Sequence, residues 1–406
     1  MRHTLSTILL MTTLIFSSAL RAQSHYNNLR GAPEDSARAT ELNFPGAIKI
    51  PDSDFYLKFG GYFRIDAIYD FNGSGSRNQL LMSQIYADNV PEAAFGPFFN
   101  MHVRETRFNF DIRRKTGLGR DMKFFIEFDF FDESLGAGQP RLRHAFVKYG
   151  GWTVGQTWTN LSDLRVFPFI MDFSAGDALF GGRSVQVRYE HDFTPHWQLG
   201  VSAEMPGLNG IFNPDTVVGR AMPVMPVGSI RITNNRDNGM ISMGAQLEQI
   251  RWYGLGVGPT STALGWGVVL NGRQGLTSDL FVTWHMSYNR GITDQILIFA
   301  GTDQGAVIRP DGSFVLEDAI TFAVGAGYHI TPKLQTNFAL ARTDRGELDF
   351  RSDHTLDNGY MGHYNLIYAL DSHVMTGIEY QWGNIQNVDL ATGSASRIQA
   401  MLKYSF

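Results

Sequence analysis

The residues with the most chemistry in this sequence are arginines set two positions from carboxylates. Arg64 precedes Asp66, Arg107 and Arg113 lie near Asp111, and Arg188 precedes Glu190. A guanidinium is always charged and can grip a carboxylate through two parallel hydrogen bonds. In a narrow aqueous passage such groups attract small anions and hand them on. Paired with neighbouring acids they instead stiffen a wall, and both readings stay open for each arginine. A second set lies on one stretch: Asp163, Arg165, Pro168, Asp172 and Asp177, interleaved with Phe167, Phe169, Ile170, Met171 and Phe173.

Catalytic patterns are missing. There is no G-x-S-x-G, no H-E-x-x-H and no P-loop. The chain has 0 Cys, which excludes thiolate zinc sites, iron–sulfur clusters and a cysteine nucleophile. His191 and His196 straddle a turn without an evident third ligand. The expectation is therefore no enzyme, no cofactor and no metal. The formal charge is -5, and removing a leader that holds Arg2 and Arg21 leaves 32 basic against 39 acidic residues. With no basic run, nucleic acid is not an expected partner.

The elements that must carry these arginines alternate with period two. From Phe55 to Phe71 one face carries Phe55, Leu57, Phe59, Phe63, Ile65, Ala67, Tyr69 and Phe71, and the other Lys58, Arg64, Asp66 and Asp70. Successive side chains of a strand point to opposite faces, so this is a strand with one apolar and one charged face. Sixteen such segments follow one another, near 55–71, 102–115, 121–131, 140–149, 152–158, 183–192, 196–205, 226–234, 239–251, 262–273, 277–291, 318–330, 332–343, 356–370, 373–386 and 396–406. Short turns alternate with long connections at 72–101, 132–139, 159–182, 206–225, 252–261, 292–317, 344–355 and 387–395. Beyond the leader, no apolar run reaches the ~18–20 residues of a membrane helix.

An even strand number, apolar-out and polar-in alternation, and turns of alternating length predict an all-β fold. It is a transmembrane antiparallel β-barrel of about sixteen strands in the outer membrane of a Gram-negative bacterium. A barrel of this width leaves an aqueous channel, so the expected function is a porin for passive diffusion. A soluble secreted sandwich or propeller and an outer-membrane barrel enzyme, such as a lipid hydrolase, are the other readings. Residues 1–22 read as a secretory signal peptide, with a basic start, a short apolar core, and an exit after Ala19 or Ala22. Residues 23–54 read as a flexible periplasmic lead-in and 55–406 as the barrel. Phe406 ends an alternating strand, the form of signal read by the outer-membrane assembly machinery.

The connection 159–182 is too apolar for a loop in water. It is predicted to fold into the barrel and narrow it; packing on a neighbouring subunit is the other reading. By parity, ten basic and nine acidic positions face inward, Lys403, Glu105, Glu127 and Glu379 among them, so the count sets no selectivity. Charges at a constriction act at short range with little screening. Arg64, Arg107, Arg113 and Arg188 lie on the strands around the loop's anchor and are the predicted solute-binding residues. Arg143 joins them with its face unsettled, because strand four fits either parity.

Several runs resemble the DcaP-like trimeric porins. They are Lys58-Phe59-Gly60-Gly61-Tyr62 leading to Asp66-Ala67-Ile68-Tyr69-Asp70-Phe71, Leu142-Arg143-His144-Ala145, Val154-Gly155-Gln156-Thr157-Trp158-Thr159 with Pro168 and Asp172-Phe173, and Gln186-Val187-Arg188-Tyr189. The resemblance is specific over residues 51–192 and architectural beyond. It implies a homotrimer in outer-membrane lipid that takes up small hydrophilic, often anionic solutes such as dicarboxylates. One departure is the lack of a coiled-coil stretch ahead of the barrel.

Overall fold

The computed structural model describes residues 46–94, 96–116, 121–131, 138–172, 177–207, 211–299, 305–346, 351 and 354–406. The predicted signal peptide, residues 23–45 of the lead-in, and Phe173 lie outside the described residues. Among the described residues sixteen antiparallel strands close on themselves. They are β1 (Phe55–Asn72), β2 in two pieces (Phe98–His102 and Arg107–Lys115), β3 (Asp121–Asp129), β4 (Arg141–Tyr149), β5 (Trp152–Trp158), β6 (Arg183–Asp192), β7 (Trp197–Glu204) and β8 (Val227–Arg236). Then come β9 (Gly239–Tyr253), β10 (Ser261–Gly275), β11 (Leu280–Arg290), β12 (Asp318–Thr331), β13 (Leu334–Arg345), β14 (Leu356–Ala369), β15 (Val374–Asn387) and β16 (Thr392–Ser405). Each strand pairs with the next, and β16 returns to β1 from Tyr62↔Ser405 to Asn72↔Ser396. No sheet edge is left for lipid to satisfy, which is why the ladder must close.

The alternation decides which way each side chain points. On β1, Phe59, Phe63, Tyr69 and Phe71 are exposed on the outer face while Arg64, Asp66 and Asp70 are buried inside. Phe406 packs on that outer face, 5.5 Å from Phe59 and 6.1 Å from Phe108 between ring centroids.

Three details differ from the sequence expectation. Phe98–Met101, expected in a connection, pairs together with His102 against Asp66–Asp70 of β1, and the strand breaks before resuming at Arg107. Within that break Thr106 is buried, and its hydroxyl accepts the Arg64 N–H at 3.2 Å. The expected long connection at 387–395 is only the turn 388–391, because β16 starts at Thr392. In the expected lead-in, Ile48–Lys49 forms a short strand against Tyr56 and Leu57.

The core lies inside the barrel, on loops. Leu80, Met82 and Ile85 of the first connection, Leu161 and Phe180 of the third, and Ile292, Ile296, Ile298 and Phe299 of the connection after β11 form one buried cluster. Only the third was expected to turn inward. Wall glycines make room for these side chains. A Cβ on Gly244, Gly267 or Gly325 would collide with Leu161, Phe180 or Pro168. Apolar loop residues thus pack against one side of the barrel wall.

Candidate functional site

The remaining passage includes a cavity of about 660 Å³. Its wall carries Arg64 on β1, Arg107 on β2, Arg143 on β4, Arg183 on β6 and Lys403 on β16. Leu164, Phe169, Ile170 and Asp172 of the inner loop face them.

The arginines divide by their partners. Arg64 is held by Asp66 at 2.7 Å and Glu105 at 2.8 Å. Arg143 bonds Glu127 at 2.8 Å and Asp129 at 2.7 Å. The register slips between Glu127 and Phe128, so β4 bulges there and both Arg143 and His144 are buried. That bulge is why simple parity could not assign the strand. Arg113 sits towards the short-turn end, paired with Asp111 at 2.8 Å. Arg188 also lies on that side, donates to the Trp158 carbonyl at 3.2 Å and stands 3.7 Å from Glu190. Neither Arg113 nor Arg188 is part of the cavity wall.

Arg107 is different. Its nearest acid, Glu127, is 3.9 Å away, its Nε lacks a partner, and its guanidinium lies 5.4 Å from the Tyr62 ring centre. The Lys403 ammonium rests 4.1 Å from the same ring centre and makes no ion pair or hydrogen bond among the described residues. Arg183 lies over Trp158 at 5.2 Å, with Nη1 unpartnered. Sequence reasoning placed Lys403 inward without singling it out. It missed Arg183, whose parity on β6 points away from the inward-facing Gln186 and Arg188. The preceding Gly181-Gly182 at the loop's exit was the only local hint.

The inner loop crosses the whole lumen. Arg165 donates to Asp163 at 2.6 Å and to Asn235 of β8 at 3.1 Å. Burial pushes the Asp163 carboxyl up, but Arg165 and Arg231 outweigh it and hold it well below the usual carboxylate range. Pro168 seats on Gly325 of β12, and the Phe169 carbonyl accepts Asn365 of β14 at 2.8 Å. Asp172 accepts the Leu80 N–H at 3.1 Å and Asp177 the Met82 N–H at 2.8 Å, so the third connection holds the first. Burial, with Asp172 nearby adding to it, pushes Asp177 up to about 8.

A closed barrel with a lumen narrowed by inward loops and lined by charged side chains is an outer-membrane porin, a channel for diffusion. The chain belongs to the DcaP outer membrane protein family, whose model matches residues 29–406. It is similar to the crystal structure of the outer membrane channel DcaP of Acinetobacter baumannii, with 22% identity and a TM-score of 0.77 over 89% of this chain and 100% of that one. The anion-selective porin from Comamonas acidovorans matches with 10% identity and a TM-score of 0.57, over 87% of this chain and 100% of that one. The trimer form of in-vitro folded OmpT of Vibrio cholerae matches with 12% identity and a TM-score of 0.53, over 87% and 100%. No curated protein sequence matches the chain.

Proposed function

We propose that this porin favours small anions, dicarboxylates among them, and works as a homotrimer. The observation that carries the solute preference is the imbalance of partners on the cavity wall. Lys403 and Arg183 face the cavity over aromatic rings, and Arg107 does so with its nearest acid, Glu127, at 3.9 Å. The acids there are largely committed: Glu105 to Arg64, Asp172 to the Leu80 N–H, and Glu204 to the Asn160 N–H at 2.9 Å. Asp294 also stands on the wall and moderates the preference. A cation resting on an aromatic face keeps its charge available to a passing anion, and several moderate sites in series allow release as well as capture. The Comamonas porin, described as anion-selective, supports the same reading by analogy. The test is swelling of liposomes that carry the protein. A dicarboxylate should enter faster than a neutral diol of similar size, and equal or slower entry would contradict the proposal.

The trimer reading rests on strand length. Strands β2 to β8 have 7 to 10 residues in their regular segments, whereas β9 to β16 have 11 to 15. At ~3.3 Å per residue and a ~40° tilt, nine residues span roughly 23 Å and seven roughly 18 Å, short of an apolar band of ~25 Å. A wall too short for lipid is suited to burial against sister subunits around a threefold axis. OmpT of Vibrio cholerae, solved in a trimer form, shares this fold. Cross-linking in native detergent extracts should trap trimers; monomers alone would contradict this.

A further inference from the structure

Glu379 lies on β15, far in sequence from the inner loop, and is fully buried. Its carboxylate accepts five hydrogen bonds. Oε2 takes the Met171 N–H at 2.7 Å and the Asn365 amide at 2.7 Å. Oε1 takes the Asp172 N–H at 3.0 Å, Gln381 at 3.0 Å and the ring Nδ1 of His363 at 3.2 Å. From the opposite side, Arg64 donates to the Met171 carbonyl. The Met171–Asp172 stretch is therefore clasped by an anion at its N–H groups and by a cation at its carbonyl. Asp172 and Asp177 in turn accept the N–H groups of Leu80 and Met82. The carboxylates form a relay from wall to third connection to first, and Glu379 is its only member rooted in the barrel.

We infer that Glu379 is the positioning residue of the constriction, the wall anchor that fixes how far the 159–182 loop reaches across the pore. The physical reason is that the loop has no ladder of its own at this point. Backbone groups away from water need partners, and the hydrogen bonds of an ionised acceptor are roughly twice as strong as neutral ones. Gln in its place keeps the shape but lacks the charge, and its amide nitrogen cannot accept. One of the two loop N–H groups then loses its acceptor, and the wall's hold on the Met171–Asp172 stretch weakens enough for it to withdraw part of the time. A retreat by one residue length, ~3.5 Å, would about double the cross-section of a passage sized for a small hydrated solute.

This rests on the reading of the chain as a porin, and wild-type protein measured alongside separates the two. The experiment is single-channel conductance of Glu379→Gln in planar bilayers, with heat-modifiable gel mobility as the check that the barrel is folded. The expected result is about twofold higher conductance with frequent sub-state steps. A second variant adds Pro168→Cys and Gly325→Cys, in a chain that has 0 Cys of its own. Oxidation should tie the loop to β12 and bring conductance back to the wild-type value, and reduction should reverse this. A purely structural role for Glu379 would not be rescued by such a tether. A folded Glu379→Gln with wild-type conductance overturns the inference, as does a widened pore that the tether does not narrow or a cysteine pair that does not bridge. A wild type that shows no channel overturns the porin reading itself.

Discussion

At the scale of single residues, an arginine's value to transport depends on what already holds it. Arg64, Arg113 and Arg143 are bound within 2.8 Å of an acid, whereas Arg107 is 3.9 Å from its nearest. Replacing Arg107 and Lys403 together by Ala should shift the reversal potential in a potassium chloride gradient towards cations. A charge ~7 Å from the passing ion contributes about 0.6 kcal/mol in water, so each is expected to change the permeability ratio about threefold. Arg113→Ala should leave it nearly unchanged, because the site lies off the cavity and Lys123, 3.2 Å from Asp111, still neutralises that acid. Arg143→Ala should act on stability instead. It leaves Glu127 and Asp129 without their shared cation, a loss on the order of 3 kcal/mol for a buried pair. The temperature at which the folded gel band converts to the unfolded one should fall, and by more than in Arg107→Ala. Type and spacing made the inward arginines legible in the sequence. Pairing did not show, because it depends on cross-strand register: Arg143 reaches Glu127 of the adjacent strand only through a bulge.

At the scale of elements, the strands were legible to within a few residues at their ends, because period-two alternation and turn chemistry are local. The inward fold of 159–182 was legible too, from the apolar run around Pro168. The first connection was not, since Leu80, Met82 and Ile85 are scattered among polar residues and gain their burial from Asp172, Asp177 and the opposing loops. That contact predicts a pH response. Burial raises Asp177 from 3.8 to about 8, with Asp172 raising it and the Met82 N–H and His363 lowering it. An acid raised by folding favours the folded arrangement most below its unfolded value. That contribution is lost as pH rises through about 8, where a buried charge must form. Channel conductance should hold steady from acid to neutral pH and become larger and noisier above pH 8. Asp177→Asn, which keeps an acceptor for Met82 without the charge, should flatten that response.

At the scale of the whole molecule, one chain makes two environments by alternation alone: an apolar outer face for lipid and a charged inner face for water. The loops then narrow a wide barrel, filling one side of the lumen with apolar side chains and leaving Arg107, Lys403 and Arg183 on the wall of the cavity. Transport by this barrel requires that the passage be open, and the proposed solute preference requires that it be biased towards anions. The most direct measurement is the reversal potential of wild-type protein in a planar bilayer across a potassium chloride gradient, read on single-channel steps. Discrete conductance steps and a potential of the sign for chloride over potassium are expected. Steps with the sign for potassium, or no steps from a folded, heat-modifiable protein, would contradict this.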